Sequence, residues 1–86
     1  MMKQAVTINN KTGIHARPAS DLLKICASYP CNVEIISRGK TYNAKHIMGI
    51  LRAEMSKGTE VEIQTEGERE EEALTEIISF ISNLKD

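Results

Sequence analysis

A stripe of apolar side chains at helical spacing near the end of this chain most strongly restricts the folds that it can adopt. The stripe consists of Leu74, Ile77, Ile78, Ile81 and Leu84. An acidic stretch over 68–72 precedes it, and acidic side chains favour the N-terminal turn of a helix because they interact well with its dipole. A second stripe predicts an earlier helix over about 16–27. Its members are Ala19, Leu22, Leu23 and Cys26. Two helices that are each apolar on one side need a shared apolar surface, which a sheet face provides.

The segments around these helices show the alternation that is typical of strands. Between Thr59 and Thr65, Val61 and Ile63 alternate with polar residues, as a strand with one buried face requires. The predicted strands cover 3–8, 32–37, 41–43 and 59–65. The turn at 38–40 joins the second strand to the third as a hairpin, and a short apolar helix follows over 47–51. The order βαββαβα predicts an α+β open-faced sandwich, in which helices cover one face of a four-stranded sheet.

Size and composition exclude several classes of function. The 86 residues suffice for one small domain, which we expect to span 1–86. The net charge of −1, with two tyrosines and one phenylalanine, gives neither the basic surface nor the stacking platform of a nucleic-acid-binding module. No stretch has the length of a membrane span or the pattern of a signal peptide, so we expect a cytoplasmic protein. The sequence leaves the oligomeric state open, and a monomer is the default expectation. Cys26 and Cys31 lack the spacing of a disulfide framework or a metal site, and we expect reduced thiols, no metal and no cofactor.

The stretch from Thr12 to Pro18 carries a candidate for chemistry. His15 comes immediately before the first predicted helix, whose initial N–H groups lack backbone acceptors and lie at the positive end of the dipole. Gly13 permits a tight turn before the histidine, and the small Ala16 leaves its N–H open to an oxyanion. Arg17 offers a fork of donors that suits phosphate oxygens. A lone histidine is more often a surface or structural residue, but these neighbours favour a nucleophile for phosphoryl transfer.

Three segments resemble the HPr family, the histidine-containing phosphocarriers of the phosphoenolpyruvate-dependent sugar phosphotransferase system. The first runs from Gly13 to Ala19 and resembles the active-site signature of the family. The second and third, 43–49 and 57–61, resemble the motifs that follow it. Length and element order agree from end to end. The resemblance implies an HPr-like fold, whose four-stranded sheet is antiparallel. It also implies a phosphocarrier, not a free-standing enzyme.

The resemblance also implies a role for each residue of the site. His15 would accept a phosphoryl group on Nδ1 from Enzyme I, which takes it from phosphoenolpyruvate, and would pass it to the IIA domain of a sugar permease. Arg17 would steady the phosphoryl oxygens, and the backbone N–H groups of Ala16 and Arg17 would cap them. The docking face for both partners would comprise Ala16, Arg17, Ser20, Ile47, Met48 and Leu51.

Three of these docking residues have two interpretations from the sequence alone. Ile47, Met48 and Leu51 are apolar and suit core packing. On a short helix, however, some of them must face outward. An exposed apolar patch beside a charged site would let one protein dock several partners in turn.

One position departs from the family pattern. Gram-positive members carry a serine, in a Lys-Ser-Ile-Met-Gly context, where this chain has His46. The resemblance implies that an ATP-dependent kinase phosphorylates that serine to signal catabolite repression. Because the imidazole has no hydroxyl, we expect no such phosphorylation at position 46.

The residues themselves leave several roles open for His46. It is a cap or an exposed surface residue, a partial positive charge on the docking face, or a second phosphoryl acceptor. Joint metal binding with His15 lacks the further ligands that a metal needs.

The alternative function is that of a regulatory HPr paralogue, which binds transcription factors or enzymes instead of serving sugar uptake. Such paralogues often lack the active histidine, so the presence of His15 favours the carrier. The sequence shows no nucleotide-binding loop and no second catalytic base in a familiar motif, which argues against a self-standing enzyme.

Overall fold

The computed structural model describes residues 1–85, which form four strands and three helices. In chain order they are β1 (Met2–Thr7), α1 (Ala16–Ala27), β2 (Asn32–Ser37), β3 (Lys40–Asn43), α2 (Ile47–Arg52), β4 (Glu60–Glu66) and α3 (Glu70–Ser82). All pairings in the sheet are antiparallel, in the order β1-β4-β2-β3. The predicted α+β class and βαββαβα order are confirmed. Within residues 1–85, no helix is both long enough and apolar enough to cross a bilayer.

Strand β4 lies between β1 and β2 and shows the predicted alternation most clearly. Ile63 pairs with Gln4 of β1 on one side and with Ile35 of β2 on the other. Val61 and Ile63 are buried, while the intervening residues of β4 are exposed or half-buried. One face of the sheet therefore forms the core, and the other remains open to solvent.

The two long helices cover the core face of the sheet. The buried side of α3 consists of Ala73, Leu74, Ile77 and Ile81, and that of α1 consists of Ala19, Leu22 and Cys26. Fully burying one leucine or isoleucine side chain stabilises a fold by roughly 1.5–3 kcal/mol, so these stripes hold both helices to the sheet. Leu23 and Ile78, which the periodicity also assigned to the stripes, are half-buried and pack at the rim of the core.

The hairpin between β2 and β3 closes with a two-residue turn. Ser37 pairs with Lys40, and Arg38 (φ 51°) and Gly39 (φ 78°) between them both have left-handed backbones. Positive φ at both central residues defines a type I′ turn, whose twist matches that of the flanking strands. The predicted turn is confirmed, and β3 begins one residue earlier than predicted, at Lys40.

The observed ends of the elements differ from the predicted ends mainly at α3. The predicted helix starts at 68, whereas α3 starts at Glu70, after a turn in which Gly67 (φ 124°) and the N-cap residue Arg69 (φ 63°) both have left-handed backbones. The Glu70 carboxylate accepts a hydrogen bond from the Gly67 N–H at 2.9 Å. Leu84 lies beyond the end of α3 and still packs, half-buried, against the core.

A smaller difference concerns β1, which covers Met2–Thr7 and not 3–8. Ile8 has left the strand but is fully buried. Its N–H donates to the Thr59 carbonyl at 2.9 Å, and its carbonyl accepts from the Gly58 N–H at 2.7 Å. The end of β1 is thereby tied to the segment that precedes β4.

Candidate functional site

The N-terminus of α1 presents His15 to solvent. His15 is the N-cap residue with an extended backbone (φ −145°, ψ 173°), and its imidazole does not hydrogen-bond to the helix. The N–H groups of Ala16 and Arg17 lie in the first turn and have no intrahelical acceptor, while Pro18 contributes no N–H. The predicted helix start is confirmed, and the end of α1 that attracts anions lies directly beside the imidazole.

Ala16 has a left-handed backbone, with φ 52°. For a residue with a side chain, this conformation costs roughly 1–2 kcal/mol. It occurs where the chain turns from the extended His15 into the helix, at the first N–H available to an anion. Such strain persists only where the surrounding structure imposes it, and it is concentrated at functional sites.

The loop before His15 rests on the segment that follows α2. The Ile14 N–H donates to the Met55 carbonyl at 2.8 Å, and the Asn10 side chain donates to the Gly13 carbonyl at 2.8 Å. Gly13 (φ 73°) lies so close to Met55 and Ser56 that any side chain there would overlap the Met55 carbonyl. The glycine that the sequence suggested for a turn is therefore also needed for this close approach.

A shallow depression of about 120 Å³ opens beside the imidazole. Its lining residues are Thr12, Ile14, His15, Leu51, Glu54, Met55 and Ser56. The depression thus joins the histidine loop, the last turn of α2 and the segment after it. A wider groove of about 750 Å³ lies between β1 and α3, and its lining includes none of the predicted site residues.

The structure places Ile47, Met48 and Leu51 at the surface of α2 and not in the core. Their side chains are 37%, 54% and 39% exposed, while Ile50 of the same helix is fully buried. Leu51 follows Met48 by three positions and Ile47 by four, so its side chain lies beside both of them on the helix surface. We call these three residues the apolar patch. Leu51 lines the same depression as His15, so the patch adjoins the histidine.

The remaining predicted site residues on α1 are also accessible. Arg17 and Ser20 are exposed, and Ser20 follows Ala16 by one helical turn. The ion pairs found within residues 1–85 involve cations other than Arg17. The Arg17 guanidinium can therefore turn toward an anion at the N-terminus of the helix.

His46 is the N-cap residue of α2, with an extended backbone (φ −127°, ψ 131°) and no hydrogen bond from its side chain to the helix. Its side chain is exposed. Among residues 1–85, no group of three or more histidines, cysteines or acidic residues is placed to hold a metal ion.

The two cysteines are buried and free. Burial raises the pKa of the Cys26 thiol to about 12. A thiol with so high a pKa carries almost no thiolate at neutral pH, so Cys26 is a packing residue and not a nucleophile.

The sequence pattern did not identify one residue that contacts the site region. Arg38 was predicted only as part of a turn, yet its guanidinium donates to the carbonyls of Ala53 and Glu54. A weak signal was available, because asparagine and glycine are the residues favoured at the centre of such a turn and arginine is not.

Comparison with known proteins decides the family. Residues 2–83 match the family described as the PTS HPr component phosphorylation site. The chain belongs to the HPr family. The phosphocarrier protein HPr of Pseudomonas aeruginosa is 37% identical over 79 residues, which are 91% of this chain and 88% of that protein. The HPr-like protein Crh of Bacillus subtilis is 37% identical over 81 residues, which are 94% of this chain and 95% of that protein.

The HPr fold is equally clear from solved structures. The crystal structure of HPr-C-His from Thermoanaerobacter tengcongensis superposes with a TM-score of 0.92 at 35% identity, covering 95% of this chain and 92% of that chain. The resemblance stated from the motifs is thus confirmed, and the family is one of phosphocarriers, not of free-standing enzymes. Because its relatives include both HPr and Crh, family membership does not choose between the carrier and the regulatory function.

Proposed function

We propose that this HPr-family protein is a phosphocarrier in which His15 accepts a phosphoryl group from phosphorylated Enzyme I and passes it to the IIA component of a sugar permease. One observation carries the proposal. The exposed imidazole of His15 lies at the N-terminus of α1, beside the N–H groups of Ala16 and Arg17 and the Arg17 side chain.

The chemistry needs little beyond this arrangement. The lone pair of Nδ1 attacks phosphorus while Nε2 keeps its proton, and the bond from phosphorus to Enzyme I breaks as the new P–N bond forms. Phosphoryl transfer depends mainly on positioning and on stabilising the charge of the three equatorial oxygens. The two N–H groups and the Arg17 guanidinium supply that stabilisation. Transfer to the IIA component is the same step in reverse, with the IIA component as acceptor.

The apolar patch supports the docking part of the proposal. Enzyme I and the IIA component must each cover His15 in turn, so the carrier needs one surface that fits both. An exposed apolar area beside a polar site serves this purpose, and the flexible Met48 adapts to different partners. The proposed docking face combines the patch with Ala16, Arg17 and Ser20.

For His46 we propose a surface role without phosphorylation. Its imidazole is exposed at the start of α2 and has no hydroxyl for a serine kinase to esterify. The carrier would then work without the serine-based brake that Gram-positive relatives use. Phosphate from such a kinase at a neighbouring hydroxyl, for example Thr41, would contradict this loss of regulation.

Labelling with Enzyme I and radioactive phosphoenolpyruvate tests the carrier function. We expect acid-labile label on the wild type, loss of all label in His15→Ala, and full label in His46→Ala, which is the matched control because it removes the other exposed histidine. Addition of a IIA component should discharge the labelled wild type. Residual label in His15→Ala that disappears in the double variant would instead assign a second acceptor to His46.

The regulatory function is the second candidate, favoured by the 37% identity to the HPr-like protein Crh. His15 is present, which favours the carrier. A wild-type protein that stays unlabelled with an active Enzyme I from the same organism would decide for the regulatory function.

A further inference from the structure

An arginine in the hairpin turn reaches the segment on which the histidine loop rests. We call residues 53–59 the support segment. Nη1 of Arg38 donates to the Ala53 carbonyl at 3.2 Å and to the Glu54 carbonyl at 3.0 Å. Nη2 donates to the Thr59 hydroxyl at 3.4 Å. One guanidinium therefore joins both ends of the support segment to the turn between β2 and β3.

The carbonyls that Arg38 binds lie where α2 ends. Ala53 is the C-cap residue of α2, and Glu54 has a left-handed backbone with φ 50°. The last carbonyls of a helix lack intrahelical donors and lie at the negative end of its dipole, so a cation there is favourable. The Ser37 hydroxyl donates to the same Ala53 carbonyl at 2.9 Å. The strained exit from α2 is thus held by two side chains of one hairpin.

The support segment in turn holds the residues that lead into His15. The Met55 carbonyl follows Glu54 directly and accepts the Ile14 N–H at 2.8 Å. Gly13 lies against Met55 and Ser56 with no room for a side chain. In this contact, Met55 is the residue after Glu54, and Ile14 is the residue before His15.

We propose that Arg38 is a positioning residue for phosphoryl transfer at His15. By fixing the Ala53 and Glu54 carbonyls, it fixes the Met55 carbonyl that holds Ile14. The orientation of the His15 imidazole relative to the first N–H groups of α1 depends on that contact. This inference rests on the proposed function, since it concerns the same transfer step.

Arg38 contributes to positioning more than to stability. Its ion pair with Glu54 spans 3.9 Å between largely exposed side chains, and exposed pairs of this kind stabilise a fold little. A role in stability alone would predict a general change in hydrogen exchange. A positioning role predicts a change confined to the support segment and the histidine loop.

The test replaces Arg38 by methionine, which keeps an unbranched stem but removes every donor. Lys40→Met is the matched control, because Lys40 is another exposed cation of the same hairpin. Amide hydrogen exchange at Ile14 reports the loop directly, without any partner. Single-turnover transfer from phosphorylated Enzyme I reports the function, with the rate at saturation measured separately from the concentration that gives half of that rate.

We expect Arg38→Met to speed exchange at Ile14 and to lower the saturating transfer rate by about tenfold, since small displacements of a reacting group are costly. The half-saturating concentration should stay within about twofold, because α2 and its apolar patch remain held by the buried Ile50. Arg38→Lys should recover part of both effects, because an ammonium can donate to the same carbonyls. Lys40→Met should behave as the wild type.

Three results would overturn the inference. Unchanged Ile14 exchange with an unchanged saturating rate would remove the positioning role. A general rise in exchange across all elements would make Arg38 a stability residue, and a change confined to the half-saturating concentration would make it a docking residue. If the wild type itself accepts no phosphoryl group, the proposed function fails, and Ile14 exchange still decides whether Arg38 fixes the loop.

Discussion

At the residue scale, the backbone conformation of Ala16 distinguishes the start of α1 from that of an ordinary helix. The sequence predicts the helix from this residue, and its small side chain suggests an accessible N–H. The left-handed φ of 52° could not be predicted, because alanine gives no local signal for it. Ala16 follows the extended His15, and the Ile14 N–H before them donates to the Met55 carbonyl, a long-range contact that the local sequence does not reveal.

A substitution at Ala16 measures this strain. Ala16→Gly should raise the free energy of unfolding by up to about 1 kcal/mol, because the relief of roughly 1–2 kcal/mol is partly offset by the greater freedom of glycine in the unfolded chain. Ala16→Val should lower it, since a β-branched residue is strongly disfavoured at positive φ. Urea unfolding measures both changes. A glycine variant that is less stable than the wild type would contradict the strain at this position.

At the element scale, the periodicity of apolar residues predicted the helices and strands that bury one side. It did not predict the left-handed turns that set some of their ends. The bounds of α1 and β2 were predicted without error, because an apolar pattern and a proline define them locally. The start of α3 was wrong by two residues, since the acidic run extends the helical composition beyond Gly67 and Arg69. The contacts of Arg38 with the support segment could not be predicted, because they join residues 15 and 16 positions apart.

The place of α2 against β3 depends on Gly49. A side chain there would overlap the backbone carbonyl of Asn43, so Gly49→Ala should lower the free energy of unfolding by about 2–3 kcal/mol, as overpacking does. Gly58→Ala is the control, because a methyl group at this position meets open space. Only its left-handed backbone disfavours alanine, so the free energy of unfolding should fall by about 1 kcal/mol. Equal losses in the two variants would contradict the close packing of α2 on β3.

The contact of Tyr29, which follows α1, with Glu76 of α3 predicts that the stability of the fold depends on alkaline pH. Tyr29 donates a hydrogen bond to the Glu76 carboxylate, which with burial raises the pKa of Tyr29 to about 12. A tyrosine whose pKa is higher in the folded protein stabilises the fold below its ordinary pKa of 10.0. That stability is lost as the pH rises toward the folded value.

Tyr29→Phe should therefore lose less stability than the wild type between about pH 10 and 12. Urea unfolding at several pH values measures the difference. In Tyr42→Phe, Tyr29 is the remaining tyrosine, and an ultraviolet titration should show that it ionises near its raised pKa. Tyrosinate at the ordinary pKa would contradict the bond to Glu76.

At the scale of the whole molecule, the net charge conceals an uneven distribution along the sequence. Residues 11–57 contain eight lysines and arginines against three acidic residues, a net charge of +5. Residues 58–86 contain two against nine, a net charge of −7. With the single lysine before residue 11, the total is the −1 of the full chain. The site elements α1 and α2 belong to the cationic part, which suits a site for phosphoryl groups.

The most direct test of the central claim locates the phosphoryl group on the phosphorylated protein. The wild type is incubated with Enzyme I and phosphoenolpyruvate, and intact mass and ³¹P–¹⁵N nuclear magnetic resonance are recorded before and after addition of a IIA component. We predict one acid-labile phosphoryl group bonded to Nδ1 of His15, which the IIA component removes. A wild type that stays unmodified beside an active Enzyme I, or a phosphoryl group that persists in His15→Ala, would contradict the claim.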